Sequence, residues 1–233
     1  MTIDEANGVF DGEMGKWYAE HATDSIYNAH YDRPAVLDLI GPCEGQRILD
    51  VGCGAGHYMT ELGARGAEVT GIEGSAELLS SARDRLGEAA RLRQHDLETP
   101  LDFLDDASFD GALMALVFHH IGTRRRLLDE LFRVVRPGGW LVMSTFHPTR
   151  YWELFGGSYF TAEKVEADFL DRWTAPVWRM PLEVLMTELL DSGFTLEQLR
   201  EPRPTPRAAE ISERHFRKLS TEPKFLALRL RRP

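Results

Sequence analysis

Between Ile48 and Tyr58 a short apolar run breaks into glycine at alternate positions, Gly52, Gly54 and Gly56. An apolar run of that length reads as a buried strand. The glycines that end it read as a tight turn, whose dihedrals and close approach to a ligand a side chain would obstruct. Helical apolar spacing at Met59, Leu62 and Ala64 follows at once. A strand that turns through glycine into a helix N-terminus is half of a nucleotide-binding crevice, and it commits its neighbours to layers of helix on sheet.

The glycine spacing separates two cofactor classes. A dinucleotide fingerprint, G-x-G-x-x-G, needs its third glycine at position 57, where the chain has His57. The G-x-G-x-G present here, with Asp50 before it, resembles motif I of the class I S-adenosylmethionine-dependent methyltransferases. More stretches follow in that family's order. Residues 68–73 read as a second strand closing on Glu73, about 20 residues past the first glycine, where such folds hold ribose hydroxyls. A third strand around residues 90–94 leads to Asp96, and a fourth, 109–115, leads to His119 and His120. Leu127 to Trp140 is similar to the family's helix and Pro-Gly-Gly turn before strand five.

The resemblance implies a seven-stranded doubly wound α/β sheet, Rossmann-like, in the order 3-2-1-4-5-7-6, with the last strand antiparallel and helices on both faces. It also implies S-adenosyl-L-methionine as cofactor and S-adenosyl-L-homocysteine as product. Asp50, Gly52, Cys53, Gly54 and Gly56 would meet the methionyl part. Glu73, with Gly74 and Ser75 behind it, would meet the ribose, and Asp96 with Leu97 the adenine. Ala115 and Leu116 would line the sulfonium side, and His120, which matches a packed position of the family, is counted with the cofactor-binding residues. In its small-molecule members an N-terminal helix folds across the cofactor. Here residues 1–34 carry Phe10, Trp17, Tyr18, Tyr27 and Tyr31, and Tyr18 is assigned to the cofactor on that ground. The alternative is that these rings only pack a helix onto the sheet. Arg33 is placed to meet the cofactor carboxylate, since a guanidinium fork matches a carboxylate bidentately.

Alternating strands and helices from residue 46 to 146 argue a parallel sheet with right-handed crossovers. At 233 residues the chain is long enough for one large domain with a two-sided core. The expected divisions are N-terminal cap helices at 1–34, a cofactor core at 46–146, a substrate cap at 147–180, and a C-terminal helix and strands at 181–233. Residues 146–178 hold nine of the 23 aromatic side chains, among them Tyr151, Trp152 and Tyr159, which are expected to line the acceptor. Gly156-Gly157 is a candidate hinge. The competing readings are a satellite hydrophobic cluster or a homodimer contact.

A formal charge of −10 opposes a polyanionic partner, so nucleic acid is not expected, and Arg124 to Arg126 read as a solvated helix start. Two cysteines, Cys43 and Cys53, build no disulfide framework. No leader pattern and no run near the ~18 apolar residues of a membrane span is seen, so a soluble cytoplasmic protein is expected.

Methyl transfer from a sulfonium is an in-line displacement that mainly asks the protein to hold the acceptor and exclude water. Where the acceptor must lose a proton, His119 and His147 are the candidate bases, because each follows the end of a central strand. No ligand spacing supports a metal. The acceptor is expected to be a small apolar or ring-bearing molecule, methylated on oxygen, nitrogen or carbon. The alternatives are a cofactor-binding protein that transfers no methyl, and a methyltransferase acting on a macromolecule.

Overall fold

The computed structural model describes residues 10–169 and 173–233. The first nine residues of the expected N-terminal cap, and residues 170–172 of the substrate cap, lie outside that range. Helix α1 (Gly12–His21) and a π-helical turn (Asn28–Asp32) lead into α2 (Arg33–Ile40). The core then alternates β1 (Arg47–Val51), α3 (His57–Ala64), β2 (Glu68–Glu73), α4 (Ala76–Leu86), β3 (Arg91–Gln94), β4 (Phe109–Ala115), α5 (Arg124–Val134) and β5 (Val135–Phe146). After it come α6 (Pro148–Phe155), a hairpin of β6 (Glu163–Phe169) and β7 (Trp173–Arg179), α7 (Leu182–Asp191), β8 (Thr195–Arg200), α8 (Pro206–Ile211), α9 (Glu213–Thr221) and β9 (Phe225–Arg231).

The main sheet runs β3-β2-β1-β4-β5-β9-β8, with β9 antiparallel to both neighbours. Once the hairpin is set aside, this is the expected order of seven. Leu49, Val51, Ala112, Met114, Leu141 and Met143 bury one face against α5 and α7. Ile48, Leu113, Trp140 and Val142 bury the other against α2 and α3. Alternate residues of each strand thus serve opposite layers, which is why these strands read as continuous apolar runs. Strands β4 and β5 meet tightly at Gly111, where a Cβ would sit 2.1 Å from the Trp140 ring.

Three details depart from expectation. Strand β5 begins at Val135, ahead of the Pro-Gly-Gly turn, because Val135 already pairs with Phe109 while Trp140 pairs with Gly111. The intervening residues bulge outward and are tied to the C-terminus by Gly138 N–H donating to Arg232 O (2.8 Å). Arg124 is not solvated: its guanidinium reaches Glu188 of α7 with Nε at 2.6 Å and Nη2 at 2.9 Å. In the cap, Val165 and Ala167 of β6 face Ala175 and Val177 of β7 across an antiparallel ladder, giving a two-stranded sheet separate from the main one. The alternation of residues 163–169 and 173–179 carries that signal, masked by the density of rings.

Candidate functional site

Neighbours β1 and β4 receive connections from opposite directions, so their carboxyl ends open a crevice at the point where the strand order reverses. The glycine turn forms its floor. Gly52 N–H and Cys53 N–H both donate to Ile72 O, at 2.8 and 3.0 Å, which fixes the turn to the end of β2. Gly52 and Gly54 have φ of +71° and +54°, in the left-handed region. A Cβ on Gly52 would lie 2.5 Å from Val117 Cγ2, whereas one on Gly54 would meet open space. Gly52 is therefore required by packing, and Gly54 leaves backbone bare toward the crevice.

Glu73, at the end of β2, is buried and holds this turn. Its Oε2 accepts from Gly54 N–H (2.8 Å) and its Oε1 from Ser75 N–H (2.9 Å). Burial pushes its carboxyl up, against the opposing pull of those N–H groups. Ser75 caps α4 by accepting from Leu78 N–H (3.1 Å), and its hydroxyl also lies 2.7 Å from Phe10 O, so the N-terminal segment closes over this corner. Gly74 O accepts from the Gln94 amide (3.1 Å). Asp96, one turn past β3, accepts from Glu98 N–H through Oδ1 (2.9 Å), beside the buried Leu97.

The crevice brings together Tyr18, Arg33, Gly52, Cys53, Gly54, Ala115 and Leu116, all singled out in the sequence. Leu116 has φ +57°, a conformation a non-glycine residue rarely adopts, and its N–H donates to Ser144 O (2.9 Å). The wall also contains Asn28, Asp32 and Tyr58, which sequence reasoning did not single out. Asn28 Nδ2 donates to the Tyr18 hydroxyl (3.2 Å), and the Tyr58 hydroxyl donates to Asp32 Oδ2 (2.8 Å). The signal for Asp32 was present in the run Tyr31-Asp32-Arg33-Pro34. A π-turn, which carries no period of its own, aims it inward.

Charge in this wall is buried and incompletely paired. Asp32 in the wall is 1% exposed, and Asp50, on β1 and outside the lining residues, is 2% exposed. Among the described residues, Asp32 Oδ1, Asp50 Oδ2 and Arg33 Nε have no hydrogen-bond partner. Burial raises Asp32 to about 6, opposed first by the Tyr58 hydroxyl. Burial, with the Glu73 carboxylate adding to it, raises Asp50 to about 8. Orphaned buried groups of both signs in one crevice suit a ligand that carries an ammonium and a carboxylate together. An amino-acid tail such as the methionyl part of S-adenosylmethionine has that chemistry, and the bare glycine backbone suits its close approach.

Of the candidate bases, His119 is buried outside the lining residues of the crevice, with Nδ1 3.1 Å from Thr145 Oγ1 and its ring 4.6 Å from that of Phe146. Burial, then the neighbouring His120, holds it well below the ordinary imidazole value. His120 sits 4.2 Å away, Nδ1 on Pro176 O (3.2 Å), with Phe10 edge-on to its ring. His147 instead caps α6. Its Nδ1 accepts from Thr149 N–H (3.2 Å) and its Nε2 faces Glu201 Oε1 (3.3 Å). Tyr151 is buried beside Phe146, its hydroxyl unpaired among the described residues. Trp152 is 51% exposed on the outer side of α6, its indole N–H donating to Gly157 O (3.1 Å). The Tyr159 hydroxyl accepts from Leu182 N–H (3.1 Å) and so ties the cap to α7. Tyr151 thus lies within the ring cluster around His119, and neither Trp152 nor Tyr159 does. Among the described residues, no three His, Cys, Asp or Glu side chains gather for a metal, and no helix is long and apolar enough to cross a membrane.

Residues 49–143 match the family described as a methyltransferase domain. The chain is 35% identical over 131 residues to a demethylmenaquinone methyltransferase of Tropheryma whipplei, covering 54% of this chain and 52% of that protein. It is 32% identical over 160 residues to a ubiquinone biosynthesis O-methyltransferase of Alkalilimnicola ehrlichii, covering 64% of each. The chain thus spans between half and two thirds of the length of these curated relatives. Its fold is similar to that of an S-adenosylmethionine-dependent methyltransferase from Mesorhizobium loti, with a TM-score of 0.69 at 24% identity over 85% of this chain and 96% of that one.

Proposed function

We propose that the chain, whose residues 49–143 match a methyltransferase domain, is a class I S-adenosylmethionine-dependent methyltransferase that binds S-adenosylmethionine at the switch-point crevice and methylates a small, ring-bearing acceptor held under the α6 and hairpin cap. The observation that carries this reading is the meeting of a bare glycine turn with unpaired buried groups of both signs. When bound, the cofactor supplies a methyl already activated by its sulfonium.

The chain's own residues have three tasks. Gly52 and Gly54 let the cofactor approach the backbone, and Glu73 stiffens that turn through Gly54 while keeping acceptor capacity on both oxygens for the ribose. Asp96 serves the adenine edge. Phe146, Tyr151 and His119 offer an apolar, ring-lined wall from which water is excluded.

His119 is the better base of the two histidines. With Nδ1 on Thr145, Nε2 remains to take a proton from an acidic acceptor, whereas both ring nitrogens of His147 are committed to the α6 cap and Glu201. Relatives named for demethylmenaquinone and for ubiquinone biosynthesis support an acceptor of the hydroxylated ring type. Cys43 and Cys53, both buried and unbridged, fit a reducing, cytoplasmic setting.

The test is calorimetry with S-adenosylhomocysteine and with NAD, followed by mass spectrometry of a panel of hydroxylated quinols after incubation with S-adenosylmethionine. Binding of the former only, and a gain of one methyl on a quinol, are expected. Tight NAD binding without heat from S-adenosylhomocysteine would overturn the cofactor. Cofactor binding without transfer to any acceptor would favour a non-catalytic binding protein.

A further inference from the structure

The geometry points to Asp32 as the group that receives the α-ammonium of the cofactor's amino-acid tail, with Arg33 beside it taking the α-carboxylate, so that the π-turn Asn28–Asp32 ends in a two-residue zwitterion clamp. This rests on the cofactor reading above and adds a residue and a role to it.

The clamp follows from what these two residues leave undone. Asp32 is almost wholly buried, and pairing with the Tyr58 hydroxyl occupies only Oδ2. Oδ1 has no hydrogen-bond partner among the described residues. The Ser144 hydroxyl, near enough to pull the carboxyl down, forms no hydrogen bond of proper geometry with it. Arg33 gives Nη2 to Ala22 O (2.9 Å) and lays its guanidinium 5.7 Å from the centre of the Tyr58 ring, but its Nε is also buried and unpaired. Consecutive residues of opposite charge line one crevice, and no ion pair joins them among the described residues. A buried acceptor and a buried donor left open next to each other are costly unless something brings the complementary pair.

A purely structural role for Asp32 would need one oxygen for Tyr58 and would gain from an amide in place of the second. Asp50, a buried carboxyl on β1, is not among the residues lining the crevice, and burial, then Glu73, raises it to about 8, against about 6 for Asp32. The local backbone suits the task. Pro34, in the first turn of α2, contributes no N–H, and the π-turn before it sets Asp32 and Arg33 side by side on the wall facing Gly52 and Gly54.

The test is a cycle of two ligands against two proteins, read by calorimetry. The ligands are S-adenosylhomocysteine and its deamino analogue, which keeps the carboxylate and thioether and lacks the ammonium. The proteins are wild type and Asp32→Asn. Wild type should prefer S-adenosylhomocysteine by about 10- to 100-fold, the scale of a hydrogen bond to a charged group, and Asp32→Asn should bind the two nearly equally. An undiminished preference in Asp32→Asn, or equal loss of both ligands, would overturn the clamp. If Asp32→Asn does not fold, the wild-type comparison decides alone, and equal affinity for the two ligands would overturn it. Failure of wild type to bind either ligand would instead sink the cofactor reading on which the clamp rests.

Discussion

The crevice at the switch point and the cap above it are built on opposite plans. The crevice is made of backbone: a turn with left-handed dihedrals, N–H groups fixed on Glu73 and Ile72, and buried charges left open. The cap is made of side chains. Phe146, Tyr151 and Phe155 stack under the hairpin, and Arg179 on Glu163 and Lys224 on Glu153 clasp its rim. Backbone geometry tolerates almost no substitution, whereas a ring cluster repacks at modest cost. A rigid crevice floor under an adaptable ring cluster follows from that difference, which suits the proposed division between cofactor and acceptor.

The contrast is broken most severely at Gly52. Replacement by valine combines a strained φ with a contact 2.5 Å from Val117, and should destabilise the fold by about 3 kcal/mol or more. Urea unfolding would read this, and calorimetry should show S-adenosylhomocysteine binding lost. A Gly52→Val protein of wild-type stability that still binds would mean the turn is far looser than the backbone plan requires.

Across the divide, His119→Ala should lower turnover by about 10²-fold while S-adenosylhomocysteine binds as before. The sign of the pH effect follows from burial. His119 is held well below the usual imidazole value, so it is neutral and able to accept a proton throughout the neutral range. The wild-type rate should be level there and fall only at a pH well below 6.5. Full activity in the His119→Ala, His147→Ala double variant would leave positioning as the sole mechanism.

Glu73→Ala should weaken S-adenosylhomocysteine by about 1.5–3 kcal/mol and leave any acceptor preference unchanged, because the carboxylate holds Gly54 and Ser75 and is not part of the ring cluster. Loss of acceptor selectivity on this change would show that the crevice floor and the ring cluster are coupled. Trp152→Ala is the smallest perturbation. Half of the indole faces solvent and its N–H donates to Gly157 O, so cofactor affinity should not move and the KM for acceptor should change by about fivefold or less. A loss near the His119 scale would place Trp152 against the acceptor after all, in a cap conformation more closed than this one.

Much of the crevice was legible because its chemistry is local in sequence. The turn, the strand before it and the helix after it lie within residues 47–64, and Glu73 closes the next strand, so spacing alone carries the pattern. For Asp32 the run Tyr31-Asp32-Arg33-Pro34 was visible, but its place in the wall was not. It belongs to a π-turn, and only the fold brings it against Tyr58 and Gly52 from a distant stretch of chain. The hairpin was missed for a different reason: its alternation of Val165 and Ala167 with charged residues lies within a stretch dense in rings. Helices α8 and α9, between β8 and β9, also went unanticipated, since Ala208 and Leu219 are the only buried residues they contribute.

By itself the sequence determined the alternation of strand and helix, the glycine turn and the order in which the carboxylates follow it, because each is set by periods and by dihedrals a few residues long. Tertiary structure alone decided which polar groups those strands would bury without partners. It closed Phe10 onto Ser75, turned His147 into a helix cap while leaving His119 among rings, and set Asp32 and Arg33 unpaired in one wall. The physical reason is that pairing and desolvation depend on every element that arrives at a point in space, and no single stretch of chain carries that information.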